Sequence, residues 1–294
     1  MKRRDFFRVV ALGAITARFG DVEQLFADDS IPLDPTIVAI FSDPHLHGPE
    51  TSQYYVRFKQ GITKVLAMNP RPANLLIYGD LAFDHGERED YVLFRELIKP
   101  LEDAGIHWEV AMGNHDRLPV FRDVFPERFE KPQPIDNRYI NVVETPNADF
   151  ILLDSYLENQ VAGSIVPEQR EWLAEKLKSY DNKPVFVGCH HHLDNTKIAD
   201  LLKPCPKFVA YLHGHLHFYR NPRQEDIPTL CFPSLGCWGD LGFVVANISE
   251  KEAVFTPDID AYQWPKWNPK KDPVDDLEPY LAQLNANSPV FKLP

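Results

Sequence analysis

The strongest constraint in this chain is an alternation. Short apolar runs rich in β-branched residues take turns with segments of helical periodicity. The runs cover residues 36–41, 75–78, 108–112, 150–153, 184–187 and 208–212. Each is bounded by Gly, Asp or Pro, and continuous apolar runs of this length read as strands buried on both faces. Helices are expected over 53–68, 89–99 and 168–178, the last placed directly after Pro167, a residue suited to a first helical turn. Alternating strands and helices predict an α/β architecture with helices packed on sheet faces. Beyond residue 228 the pattern changes. Residues 229–233, 242–248 and 253–255 are strand candidates with no helix between them. They are expected to be antiparallel, in a second sheet packed on the first. Residues 28–35 read as a Pro/Asp-rich linker, 36–257 as the main domain, and 258–294 as an extension carrying one short helix over 275–284.

Five of the predicted strands run straight into residues that ligate metals. Asp43-Pro44-His45 follows the first and Gly79-Asp80 the second. Gly113-Asn114-His115-Asp116 follows the third, Cys189-His190-His191-His192 the fifth, and His213-Gly214-His215-Leu216-His217 the sixth. Loops at the C-terminal ends of α/β strands converge on one crevice, so residues distant in sequence meet there. Of 11 histidines, only His107 lies clearly outside these segments or the residues just after them. Histidines serving separate packing roles would scatter, so the clustering points to a shared metal site. Seven candidate ligands exceed one coordination sphere, which implies two metals. A mixed oxygen and nitrogen set suits Zn²⁺, Mn²⁺, Fe or Co, divalent or trivalent. A carboxylate can bridge two such ions about 3.5–4 Å apart, an arrangement suited to displacement at phosphorus. Gly79, Gly113 and Gly214 each precede a ligand, where the backbone must turn sharply and approach closely.

The ordered set Asp-x-His, Gly-Asp, Gly-Asn-His-Asp, His-His and Gly-His-x-His, from Asp43 to His217, resembles the calcineurin-like metallophosphoesterase superfamily. That resemblance implies a four-layered α/β/β/α sandwich with mixed sheets and the metal site at strand C-terminal ends. It implies one metal held by Asp43, His45, Asp80 and His217, and a second held by Asp80, Asn114, His190 and His215. His115 would be the general acid or the stabiliser of the leaving group, oriented by Asp116. The family often has His-x-Pro at the fourth motif. Here three histidines run into Leu193, so either His190 or His191 is the ligand. Finer likeness, in Gly113 to Phe121, in Leu153-Asp154-Ser155, in Gly163 and in the stretch from Pro167 to Leu173, is to the cyclic-nucleotide and glycerophosphodiester phosphodiesterase branch. That likeness implies a small phosphorylated substrate and favours diesters, although the superfamily acts on both monoesters and diesters. Monoesters are the alternative, and an inactive metal-binding module is a third reading.

Other residues carry weaker readings. His191, Arg117 and His85 are candidates for contact with substrate. Arg117 is equally a surface salt-bridge partner, and Asp84 with His85 could simply cap a helix. His47 is either a substrate contact or a solvated loop residue, and His213 reads as structural. Trp238, Trp264 and Trp267 could stack on a base or pack at an apolar seam.

Apolar residues make up 44% of the chain, enough for a sizeable core, and the formal net charge is -12. That acidity excludes an extended nucleic-acid interface and argues against a nuclease. It also repels phosphates at long range, so phosphate chemistry needs a concentrated local cation. None of the four cysteines sits in a CxxC pair, and sequence does not choose between buried thiols and the disulfide pairings they allow. Near the N-terminus, Lys2-Arg3-Arg4-Asp5-Phe6-Phe7 precedes an apolar stretch from Val9 to Ala17. The pattern resembles a twin-arginine signal over residues 1–27, which predicts export to the periplasm. The alternative is a basic amphipathic helix on a cytoplasmic protein. No run long enough to span a membrane is present. Nothing in the sequence speaks to oligomeric state.

Overall fold

A computed structural model describes residues 31–180, 182–263 and 276–294. The proposed signal segment, Trp264 and Trp267 lie outside the described residues. Two six-stranded mixed sheets form the frame. The first has the order β12-β11-β10-β1-β2-β3, and the second β4-β5-β6-β7-β9-β8. In the first sheet, β1 (Leu33–Phe41), β2 (Arg71–Ile77) and β3 (His107–Val110) are parallel. The antiparallel strands β10 (Gly239–Ile248), β11 (Glu252–Gln263) and β12 (Val290–Lys292) complete it. In the second, β5 (Asp149–Leu152), β6 (Val185–Cys189), β7 (Phe208–His213) and β9 (Ile227–Cys231) are parallel. The short antiparallel strands β4 (Asn141–Glu144) and β8 (Arg223–Gln224) flank them.

Why the apolar runs are continuous is now visible. Successive side chains point to opposite faces. Val38, Ile40, Leu76 and Tyr78 face Phe150, Leu152, Phe186 and Leu212 between the sheets. Ala39, Phe41, Leu75 and Ile77 face the other way, onto helices. Those helices are α1 (Gln53–Leu66), α2 (Arg88–Asp103) and α3 (Leu118–Val124). On the far side, Ile151, Val185, Val187 and Tyr211 pack on α4 (Pro167–Lys178), α5 (Leu193–Thr196) and α6 (Ala199–Leu202). Three apolar layers therefore separate four structural layers, α/β/β/α. In the middle layer Phe150 stacks on Phe186 at 5.1 Å, and both are fully buried. Each such ring contributes about 1.5–3 kcal/mol by leaving water.

Helix α1 shows how local sequence specifies an element. Ser52 caps it by accepting from the Tyr55 amide at 3.2 Å. Phe58, Ile62, Val65 and Leu66 then recur at helical spacing and are buried on one face.

The expectation for the late strands needs correction. β9 runs parallel beside β7, whereas β10 and β11 are antiparallel and extend the first sheet beside β1. The late strands are thus shared between the two sheets instead of forming one of their own. The first strand begins at Leu33, inside the expected linker, and shifts register against β2 between Asp34 and Val38. Strand β11 runs through residue 257 to Gln263. Further on, α7 (Leu277–Ala286) rests on β11, and β12 adds an edge strand to the first sheet. No helix of the described residues is long and apolar enough to cross a membrane.

Candidate metal centre

Strands β1, β2, β3, β6 and β7 all end at one rim, and the expected ligands meet there. Asp43, His45, Asp80 and His217 offer donor atoms within 4.8 Å of one another. A second group contains His190, His191 and His215. Asp80 stands between them. Its Oδ2 lies 3.2 Å from His190 Nε2 and 3.7 Å from His45 Nε2. Its Oδ1 accepts from the His115 amide at 3.0 Å. Asn114 Oδ1 faces His190 Nε2 at 3.1 Å. The His215 amide donates to both oxygens of Asp43, at 3.2 and 3.1 Å, which ties the two sheets together.

The backbone is strained where the ligands sit. Asp43, His45, Asp80, His215 and His217 all have positive φ, between 46° and 67°. Non-glycine residues rarely adopt this region, and such strain concentrates at functional sites. Two glycines are required by close approach. A Cβ on Gly79, at φ +85°, would meet the His190 ring at 2.6 Å, and one on Gly214 would meet Ser42 Oγ at 2.0 Å.

The donor chemistry fits cations. His190 donates Nδ1–H to the Tyr78 carbonyl at 2.7 Å, and His217 does the same to the Cys237 carbonyl at 2.7 Å. Both rings therefore aim an Nε2 lone pair into the cluster, the arrangement that orients ligating imidazoles. His45 Nε2 faces His217 Nε2 at 3.3 Å, and His190 Nε2 faces His215 Nδ1 at 3.2 Å. Asp43 and Asp80 are 0% and 2% exposed, and among the described residues no Lys or Arg pairs with either. Buried carboxylates and facing lone pairs call for positive charge from elsewhere.

The titrations show the same field. Burial works to raise the Asp43 carboxyl, but neighbouring His217 and His190 outweigh it and hold it at about 2. Burial likewise opposes ionisation of Asp80, and His190 and His45 hold it well below the carboxylate range. Burial would depress His190, yet Asp80 lifts it to about 9. Burial prevails at His45 and His215, each pushed down to about 4. A cation would replace the proton that these carboxylates attract to His190.

The two neighbouring histidines have different roles. His191 is committed on both nitrogens: Nδ1 accepts from Ser155 Oγ at 2.8 Å and Nε2–H donates to the Val161 carbonyl at 3.0 Å. It stands near His215, with ring centroids 4.7 Å apart, but its lone pairs are spoken for. His190 alone of the pair turns an open nitrogen toward Asp80. His191 instead anchors the loop between β5 and α4, and a Cβ on Gly163 would strike its ring at 2.0 Å.

His115 borders the cluster, its Nε2 4.0 Å from Asp80 Oδ2 and its ring edge-on to His45 at 4.8 Å. Asp116 does not orient it by direct contact, contrary to expectation. The Asp116 carboxylate accepts from the amides of Gly113, Leu81 and Ala82 and from the Tyr91 hydroxyl, at 2.9 to 3.3 Å. His115 Nδ1 is buried without a hydrogen-bond partner among the described residues. Asp116 thus braces the two loops that carry Asp80 and Asn114. Burial, then the charge of Asp80, pushes its carboxyl up to about 6.

The remaining candidates lie farther out. His85 is exposed and pairs with Asp84 at 3.2 Å. Arg117 is exposed at the N-cap of α3, its amide donating to the Tyr91 hydroxyl at 2.6 Å. His47 pairs with Asp90 at 3.1 Å and stacks on Phe83. His213 is fully buried and donates Nδ1–H to the Gly214 carbonyl. Trp238 stacks on His217 with its ring 18° from parallel. The four cysteines are free thiols. Ser155 and Val161, as partners of His191, were not identified from sequence. Ser155 and Gly163 carried a signal only through the family likeness.

The calcineurin-like phosphoesterase family profile matches residues 37–219, well over half of the chain. A "Probable cyclic nucleotide phosphodiesterase" of Rhodococcus erythropolis is 27% identical over 189 residues, 58% of this chain and 60% of that protein. A "Probable glycerophosphodiester phosphodiesterase" of Arcobacter nitrofigilis is 29% identical over 167 residues, 51% of this chain and 58% of that protein. The chain spans about three-fifths of the length of these curated relatives. Among solved structures, a dimetal phosphatase from Danio rerio superposes with a TM-score of 0.63 over 78% of this chain and 98% of that one, at 13% identity. That likeness is one of fold. The chain belongs to the calcineurin-like phosphoesterase family.

Proposed function

We propose that this protein is a binuclear-metal-dependent phosphodiesterase acting on a small organic phosphate. The observation that carries the reading is the central position of Asp80 between two donor groups. Asp43, His45, Asp80 and His217 would hold one cation, and Asp80, Asn114, His190 and His215 would hold the other. When bound, the two cations supply positive charge to the phosphate oxygens and activation of water near neutral pH. The protein supplies the rest. Tyr78 and Cys237 carbonyls fix the tautomers of His190 and His217. Asp116 braces the loops that present Asp80 and Asn114. His115 stands at the edge of the cluster, placed to give a proton to the departing oxygen. The names of the two relatives favour a diester, either a cyclic nucleotide or a glycerophosphodiester. Export through the twin-arginine route is part of the same reading, motivated by Arg3 and Arg4 ahead of the apolar stretch.

The test is metal content measured alongside hydrolysis of a chromogenic phosphodiester and its matching monoester. About two metals per chain with preferential diester cleavage is the expected result. Preferential monoester cleavage would reassign the enzyme as a phosphatase, and bound metal with neither activity would favour a binding module. For export, replacing Arg3 and Arg4 with Lys should retain the protein in the cytoplasm; unchanged distribution would overturn that part.

A further inference from the structure

Cys237 is the one cysteine whose surroundings the fold alone does not explain. The other three sulfurs point at main-chain carbonyls: Cys189 at His191 (3.4 Å), Cys205 at Leu177 (3.8 Å) and Cys231 at Gly214 (3.6 Å). Cys237 Sγ makes no such bond among the described residues. It lies within 4.8 Å of ring nitrogens of His45 and His217, and all three residues are buried. The turn that carries it is tightly fixed. Ser234 Oγ accepts from the amides of Gly236 and Cys237 at 3.2 and 3.1 Å and donates to the Asp43 carbonyl at 2.9 Å. Trp238 and Gly239, which follow, both have positive φ. The same residue holds His217 through its own carbonyl, so it orients one imidazole and sets a sulfur beside it.

We propose that Cys237 Sγ is an additional donor to the cation held by His45 and His217. This rests on the reading that the cluster holds cations. The sulfur groups with the two imidazoles and not with the two carboxylates, so it approaches from the histidine side. Coordination would release the thiol proton to solvent, because the thiolate is the metal ligand. The Tyr54 hydroxyl, within hydrogen-bonding reach of the sulfur, can then donate to it. A soft donor makes this position prefer Zn²⁺, Fe or Co over Mg²⁺ and Mn²⁺. The second position, with Asn114, His190 and His215, has no sulfur and keeps the harder preference.

Two measurements on the full chain test this. Zinc-loaded wild-type protein should show a sulfur scatterer at about 2.3 Å in X-ray absorption. Cobalt-loaded protein should show an intense sulfur-to-cobalt charge-transfer band in the near ultraviolet. Cys237→Ser should abolish the band, and Cys231→Ser should keep it. Two bound metals with only nitrogen and oxygen scatterers and no band would overturn the proposal and leave the cluster reading intact. A band that survives Cys237→Ser would also overturn it. Failure to bind metal at all would overturn the cluster reading itself.

Discussion

The two sheets bring different chemistry to their shared rim. The strand ends of the first sheet supply Asp43, His45, Asp80 and Asn114, mostly oxygen donors and all of the negative charge. Those of the second supply only imidazoles, His190, His215 and His217. Asp43 and Asp80 are buried with histidines as their only ion-pair partners among the described residues, so the first sheet carries a charge it cannot neutralise. The second sheet carries lone pairs that face each other at 3.2 Å. Neither sheet alone completes a coordination sphere. The donor cluster assembles only where the sheets pack, and the contact from the His215 amide to Asp43 fixes that registration. Metal affinity should therefore depend on the inter-sheet core as well as on the ligands.

The sharpest way to break this comparison is Asp80→Asn, which removes the charge that joins both donor groups. Metal content should collapse, and turnover should fall by more than the roughly 100-fold typical at most of outer-shell losses. Elemental analysis with steady-state kinetics checks this. Retention of two metals would show that the sheets do not need Asp80 to share them. Next in size is His115→Ala, which should lower turnover by about 10²–10⁴-fold with both metals kept. Unchanged turnover would remove His115 from the chemistry.

Within the second sheet, His190 and His191 can be set against each other. His190→Ala should lose metal. His191→Ala should keep it and instead lower stability by about 1–3 kcal/mol, because the Ser155 hydroxyl and Val161 carbonyl lose their partner. Thermal melts and metal content together separate the two. Metal loss from His191→Ala alone would reverse the assignment.

The last effect is one of pH. Burial holds His213 at about 3 in the folded protein, below its ordinary value of 6.5. The unfolded chain then binds more protons, so stability is present above pH 6.5 and falls as pH drops toward 3. The loss approaches about 1.4 kcal/mol per pH unit within that window. His213→Gln should flatten the slope of stability between pH 6.5 and 5 relative to wild type. Identical slopes would mean that His213 takes up a proton in the folded state.

Much of this was legible because buried strands write themselves as apolar runs, and because ligands sit where the runs stop. The four-layered sandwich was expected through the family resemblance that the motifs of Asp43, Asp80, Asn114, His190 and His215 carry in order. What sequence hid was pairing. Residues 229–231 look like the start of a meander, yet β9 joins β7 in parallel, since nothing local encodes the partner of a strand. Helix α2 was expected to stop at residue 99, but it continues through Pro100 to Asp103. The family resemblance implied that Asp116 orients His115. In the turn, backbone amides claim its carboxylate first. Cys237 sits 20 residues past His217, a spacing with no motif, and it reaches the cluster only through the strained turn before β10.

The most direct test is metal stoichiometry of the purified full chain after reconstitution. Two metal equivalents per chain in wild type, both lost in Asp80→Asn, are predicted. No bound metal, or one that persists in Asp80→Asn, would contradict a binuclear centre assembled between the two sheets.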